Sequence, residues 1–200
     1  QRLVGSEMCI RDRILAEDII KTSEDTYLVG VKFRLDPGWH TYWINPGDSG
    51  EKASFEWKLP EGVKISNPKW PSPEIIPYPP LMTYGYNEEV TVLFNLTVER
   101  DLLSSEQIFL KSNWLACEDV CLPQSASIET TFLKIDDYKL SNKNSELLEK
   151  QKKLPKKLPS SIKVLEEKGE ILLTGKVDSK LINTEVYFFP YDQNLINHTA

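Results

Sequence analysis

No stretch of the chain approaches the run of about 18 apolar residues that crosses a bilayer as a helix, so none reads as a membrane span. A basic excess is also missing. The 24 Lys and Arg stand against 30 Asp and Glu, for a net charge of −6, which excludes the clustered basic face of a nucleic-acid binder. Cysteine is scarce at three residues and histidine at two, too few donors for a closed four-ligand zinc site with a second Cys pair. Long amphipathic helical patterns are lacking as well. What the chain has is aromatic: five Trp, eight Tyr and seven Phe within 40% hydrophobic residues. That composition builds a core and excludes disorder for most of the 200 residues, room for one domain and part of a second.

The ends are set apart from this core. Gln1 to Arg13 lacks the apolar stretch and cleavage site of a signal peptide, and Val4 to Arg13 resembles a translated sequencing adapter. Residues 1–13 are therefore expected to be a non-native terminus, and Cys9 is set aside with them. The strand-like Glu185 to Pro190 lies close to the last residue, so the whole reads as a fragment cut at both ends.

From Tyr27 the residues alternate as a strand requires, with Tyr27, Val29, Val31, Phe33 and Leu35 on one face. Asp36-Pro37-Gly38 ends that strand. Trp39 to Trp43 is a short aromatic strand, stopped by Asn45-Pro46-Gly47-Asp48-Ser49-Gly50. Trp39 and Trp43 share a face and read as core. Phe55 to Leu59 alternates again. Residues 67–80 carry six prolines, which exclude helix and central strand and predict a long ordered loop. Glu89 to Val98, Gln107 to Trp114 and Ser127 to Leu133 complete a series of short strands divided by turn chemistry. The expected fold class is all-β: an immunoglobulin-like β-sandwich over residues 14–138.

Lys139 to Lys157 holds seven lysines, and residues 139–159 are expected to be a Lys-rich linker, with Leu147, Leu148 and Leu154 marking at most one short helix. Strands at Ile162 to Leu165, Glu170 to Lys176 and Thr184 to Pro190 predict the start of a second, truncated immunoglobulin-like β-domain over 160–200.

Cys117 and Cys121 are the chemical feature. Along a straight strand their α-carbons would lie about 13 Å apart, beyond the roughly 4.4–6.8 Å of a disulfide. Bridging them is expected to need a chain that leaves its strand near Trp114 and coils into a turn, with Pro123 preventing a longer helix. So small a loop restrains the unfolded chain weakly, and reachable bridges of this kind are the exchangeable ones. Spacing alone leaves three readings open: an exchanging pair, a structural staple, and a two-thiolate Cu(I) site with His40 nearby. Asn95-Leu96-Thr97 and Asn197-His198-Thr199 match the glycosylation sequon and read as chance.

Four motifs then occur in order: Gly38-Trp39-His40-Thr41-Tyr42-Trp43 with Asn45 to Gly50; Trp70-Pro71-Ser72-Pro73; Tyr84-Gly85-Tyr86; and Cys117-Glu118-Asp119-Val120-Cys121-Leu122-Pro123. Together they resemble the N-terminal periplasmic region of DsbD-like thiol:disulfide interchange proteins, in the ScsB-like branch, over about residues 15–200. The CxxxC spacing follows that branch rather than the wider spacing of the best-known DsbD proteins. The resemblance implies a protein-disulfide reductase of which this chain is one domain, in the periplasm, attached to an inner-membrane protein of a Gram-negative bacterium. Electrons would pass from a membrane-embedded core to Cys117 and Cys121 as catalytic residues. From there they would reach periplasmic thioredoxin-fold partners, disulfide isomerases or ScsC-like proteins. The core and a C-terminal thioredoxin-like domain would belong to the same full-length chain. It implies no cofactor, metal or nucleic acid, and it carries associations with cytochrome c biogenesis and copper tolerance. An aromatic cap loop over the cysteines is implied at Met82 to Tyr86, with Tyr84 as cap residue and Tyr86 and Met82 beside it as partner contacts. Cys121 is the expected site of the mixed disulfide. Glu118 and Asp119 lie between the cysteines and disfavour thiolate, so the pair is expected to be a poor nucleophile until a partner docks.

Overall fold

The computed structural model describes residues 13–99, 106–131, 146–156, 161–176 and 187–195. The adapter-like stretch before Arg13 with Cys9, residues 139–145 and 157–159 of the Lys-rich segment, Thr184 to Val186, and Asn197 and His198 lie outside them. Two compact units divide the chain: residues 1–154 with 190–200, and residues 155–189.

The first unit is two antiparallel sheets. One runs β1–β2–β8–β5, from β1 (Arg13–Lys21), β2 (Thr26–Arg34), β5 (Val63–Ile65) and β8 (Glu89–Val98). The other runs β10–β9–β3–β7–β6, from β3 (His40–Gly47), β6 (Glu74–Tyr78), β7 (Leu81–Asn87), β9 (Gln107–Cys117) and β10 (Cys121–Thr131), with β4 (Ser54–Lys58) also paired to β9. Aromatic rings join the sheets. Phe33 of β2 meets Trp114 of β9 edge-on at 5.4 Å, and Phe94 of β8 meets Phe55 of β4 at 5.0 Å. Such edge-to-face pairs add to the area that the rings bury. The result is the immunoglobulin-like sandwich expected of the alternating strands.

Every described residue of β2 from Leu28 to Phe33 is nevertheless buried, so its second face is covered too. The cover is helix α1 (Glu146–Lys152), which falls in the segment read as linker. Leu147 is 2% exposed and packs with Ile20, Leu28 and Leu93, flanked by Leu148 and Leu154. Lys32, buried on the same face, pairs with Glu89 at 2.8 Å. Lys150 of the helix reaches Thr91 at 2.8 Å.

Several boundaries differ from the sequence reading. The proline-rich stretch holds strand β6 with Pro77 inside it. As the edge strand it tolerates a missing N–H. Strand β3 continues through Asn45-Pro46-Gly47 because its pairing with β7 breaks between Tyr42 and Gly47, and a bulge makes no demand on Pro46 for a ladder bond. Met82 to Tyr86 is strand β7, not a loop.

The second unit holds a hairpin of β11 (Ile162–Glu167) and β12 (Glu170–Gly175). Its two-residue turn, Lys168-Gly169, has positive φ at both positions, 53° and 82°, the geometry that matches strand twist in tight hairpins. Residues 187–190 are not in a strand.

Candidate functional site: a disulfide at a hairpin tip under Tyr42

Strand β9 alternates cleanly. Ile108, Leu110, Ser112, Trp114 and Ala116 are buried, whereas Phe109, Asn113 and Leu115 are half-buried and Lys111 is exposed. Cys117 is next on the outward parity, yet it is only 1% exposed. Glu118 to Val120 then form a short bend, closed by Glu118 N–H donating to Val120 O at 3.1 Å. Strand β10 returns with Cys121 directly opposite Cys117. The α-carbons are 4.1 Å apart and the sulfurs are bonded to each other.

This corrects the expected route to a bridge. No coil is needed, because directly opposed residues of an antiparallel pair approach to about 4.5–5.5 Å. Residues four apart become such a pair across a three-residue bend. Strand β9 runs on past Trp114 to Cys117, and β10 begins at Cys121 rather than at Ser127. Pro123 lies within β10, which is an edge strand and so accommodates it.

The two sulfurs have unequal surroundings. Cys121 is exposed. Cys117 is covered by strand β3, where His40 pairs in register with it. Side chains two apart on a strand share a face, so Tyr42 lies beside His40 and over the bridge. Tyr42 Oη donates to Cys117 Sγ at 3.0 Å and stands 3.7 Å from Cys121 Sγ. His40 Nε2 is 3.3 Å from the same oxygen, its ring edge-on to the phenol at 5.3 Å. Between them Thr41 turns to the opposite side and donates to Leu115 O at 3.0 Å, tying β3 to β9 below the bridge. Burial pushes the Tyr42 hydroxyl up from its ordinary pKa and the His40 imidazole down from its own. Both shifts favour the uncharged forms.

The Asn45 to Gly50 motif builds the support beneath Tyr42. Asn45 Oδ1 accepts the Gly47 N–H at 2.9 Å, and Asp48 Oδ2 accepts the Met82 N–H at 2.8 Å. The chain thereby reverses and brings Gly50, at φ +97°, flat against the phenol. A β-carbon on Gly50 would lie 2.2 Å from the Tyr42 ring, so only glycine fits.

Met82, Tyr84 and Tyr86, expected as cap and partner contacts, occupy β7. Tyr86 pairs with Thr41 and Gly85 with Tyr42. Alternation therefore sets Tyr84 and Tyr86 on the face of Thr41, opposite the face that carries Tyr42 and the sulfurs. Tyr86 is buried, stacks on Trp70 at 6.4 Å and donates to Pro71 O at 2.8 Å. Burial raises its pKa, with a smaller contribution from Tyr191. Burial and the charge of Asp48 raise that of Tyr84. In this oxidised form the side chain over the bridge is that of Tyr42. Sequence reasoning placed it in a short aromatic strand, in which only Trp39 and Trp43 were read as core, and gave it no role. The available signal was parity, since Trp39, Thr41 and Trp43 share one face and leave His40 and Tyr42 on the other.

Among the described residues, no three His, Cys, Asp or Glu side chains gather as a metal set. Nor is any helix there long and apolar enough to cross a membrane.

A half-exposed disulfide at the end of an immunoglobulin-like sandwich offers the reachable sulfur that a thiol-disulfide exchange domain needs. Residues 11–133 match the family model described as "Thiol:disulfide interchange protein DsbD, N-terminal", and the chain belongs to that family. Among solved structures, it is similar to the N-terminal periplasmic domain of ScsB from Proteus mirabilis. Identity is 21% and the TM-score 0.52, covering 78% of this chain and 60% of that one. The N-terminal domain of Neisseria meningitidis DsbD in the reduced form gives 14% identity and a TM-score of 0.37, over 59% of this chain and 84% of that one. No curated protein sequence matches.

Proposed function

We propose that this chain is the periplasmic exchange domain of a DsbD- or ScsB-like protein-disulfide reductase anchored in the inner membrane. In this reading Cys117 and Cys121 pass electrons from a membrane-embedded core to periplasmic thioredoxin-fold proteins. The observation that carries it is the asymmetry of the bridge, with Cys121 open to solvent and Cys117 beneath Tyr42. An exchanging pair needs one sulfur that a partner can reach and one that resolves. In the reduced pair, the Cys121 thiolate attacks the partner's disulfide and one partner sulfur leaves as thiolate. Cys117 then attacks Cys121 Sγ, which reforms the internal bridge and releases the partner as a dithiol. Two electrons move and no cofactor is required.

The test is a Cys117→Ser protein mixed with an oxidised bacterial disulfide isomerase of thioredoxin fold. A mixed disulfide through Cys121, resolved on non-reducing gels and mapped by mass spectrometry, is expected. A wild-type bridge that resists moderate dithiol, with no adduct from the variant, would leave a structural staple instead. Stoichiometric retention of Cu(I) by the reduced protein without an adduct would favour copper handling.

A further inference from the structure

We propose that Tyr42 is a catalytic hydrogen-bond donor to the sulfur of Cys117 when the bridge opens, and that His40 is the positioning residue that orients it. The inference rests on the exchange reading and adds the groups that serve the buried sulfur. An incoming thiolate can reach only Cys121. As its sulfur bonds to Cys121 Sγ, the Cys121–Cys117 bond breaks and the electron pair moves to Cys117, which becomes a thiolate out of contact with water. A buried charge without a partner is costly. Tyr42 Oη already stands 3.0 Å from that atom with its proton directed at it. The donor is thus in place before charge develops, the arrangement by which fixed dipoles stabilise a forming anion. No proton has to move, since a phenol with raised pKa donates a hydrogen bond and keeps its hydrogen.

The position of His40 follows from a count of hydrogens. Tyr42 has one, and Cys117 takes it. The phenol oxygen can then only accept, so the His40 Nε2 at 3.3 Å must carry hydrogen. Register with Cys117 on one side and the edge-on phenol on the other hold the imidazole there. Gly50 closes the far side of the ring. The aromatic strand and the Asn45 to Gly50 turn, which the exchange reading leaves without a role, thus form one device for holding a hydroxyl against a buried sulfur.

Opening of the oxidised bridge by dithiothreitol, followed by quenching and thiol labelling, tests this without any protein partner. Failure of the exchange reading in the trapping experiment would therefore not be confused with failure here. Tyr42→Phe keeps the cover and removes the donor, and it is expected to slow opening by about tenfold or more, the scale of one hydrogen bond to a charged group. An unchanged or faster rate would show that Tyr42 only shields the bridge, and would overturn the proposal. His40→Phe is expected to slow opening by several-fold, with rescue in His40→Gln, whose amide also donates. Equal rates in the two His40 variants would remove His40 from the device. Near-ultraviolet dichroism checks folding. If Tyr42→Phe does not fold, the contrast between the two His40 variants decides.

Discussion

Cys121 faces Cys117 directly across the β9–β10 hairpin, bonded to it, with only Cys121 open to solvent. Because Tyr42 and strand β3 cover one sulfur, reduction should not make the two thiols equivalent. In the reduced protein, iodoacetamide is expected to label Cys121 at least about tenfold faster than Cys117, since thiol reactivity follows access as well as thiolate fraction. Peptide mapping over a labelling time course measures the ratio. Equal rates would mean that reduction removes the cover.

Glu118 and Asp119 are exposed in the bend between the cysteines. Two carboxylates there oppose a thiolate on Cys121, weakly, because water and salt screen them. Glu118→Gln with Asp119→Asn should speed Cys121 labelling by about threefold at low salt, with the gain shrinking as salt is added. A salt-independent gain would point to a change of shape rather than of charge. The Glu118 carboxylate lies against Gly38, where a β-carbon would come within 2.7 Å of Oε1.

His40 has its pKa lowered by burial. The unfolded chain then binds a proton near pH 6.5 that the folded one refuses until lower pH. The stability this burial allows is complete above about pH 6.5 and is lost as pH falls through the lowered folded value. Urea unfolding of the oxidised protein between about pH 5 and pH 7 is expected to show stability rising with pH, with that slope reduced in His40→Gln. An equal slope in the variant would assign the dependence to other groups.

The parts of the fold that follow from alternation were legible. Tyr27, Val29, Val31 and Phe33 are buried on the face expected of them, because period two identifies an inward face wherever one side is apolar. The cysteine pair was legible too, although not its geometry. A spacing of four residues fits a helical turn and a three-residue hairpin bend equally well, and only the register of β10 on β9 distinguishes them. Proline misled at Pro46 and Pro77 for one reason: each sits at an edge or a bulge, where no ladder bond is demanded, and position in a sheet is not a local property. Tyr42 was hidden because nothing within the aromatic strand marks which side chain will meet a sulfur. Its partners, Gly50 eight residues on and Cys117 seventy-five away, meet it only in the folded chain.

Gly50 supplies a test of how Tyr42 is held. Alanine there faces a φ of +97° and a ring 2.2 Å from its β-carbon. A left-handed backbone outside glycine costs about 1–3 kcal/mol, and overpacking adds about as much. Gly50→Ala is expected to lose about 3 kcal/mol in urea unfolding. Displacing the phenol should also slow bridge opening as Tyr42→Phe does. A stable variant with wild-type opening would show that the turn does not set the position of Tyr42.

Leu147 tests whether the Lys-rich segment belongs to the sandwich. Its helix carries Glu146 and Glu149 in the first turn and Lys150 and Lys152 in the last, the charge order that suits the helix dipole. At seven residues it is too short to persist alone, so burial of its leucines must hold it. Leu147, 2% exposed against Ile20, Leu28 and Leu93, is the largest part of that burial. Leu147→Ala should therefore cost about 2–4 kcal/mol, as buried leucines do elsewhere. The bridge lies at the β9–β10 tip, in the other sheet, so its opening rate in dithiothreitol should stay at the wild-type value. A loss below about 0.5 kcal/mol, the scale of a surface substitution, would mean that the helix does not pack on β2 in solution.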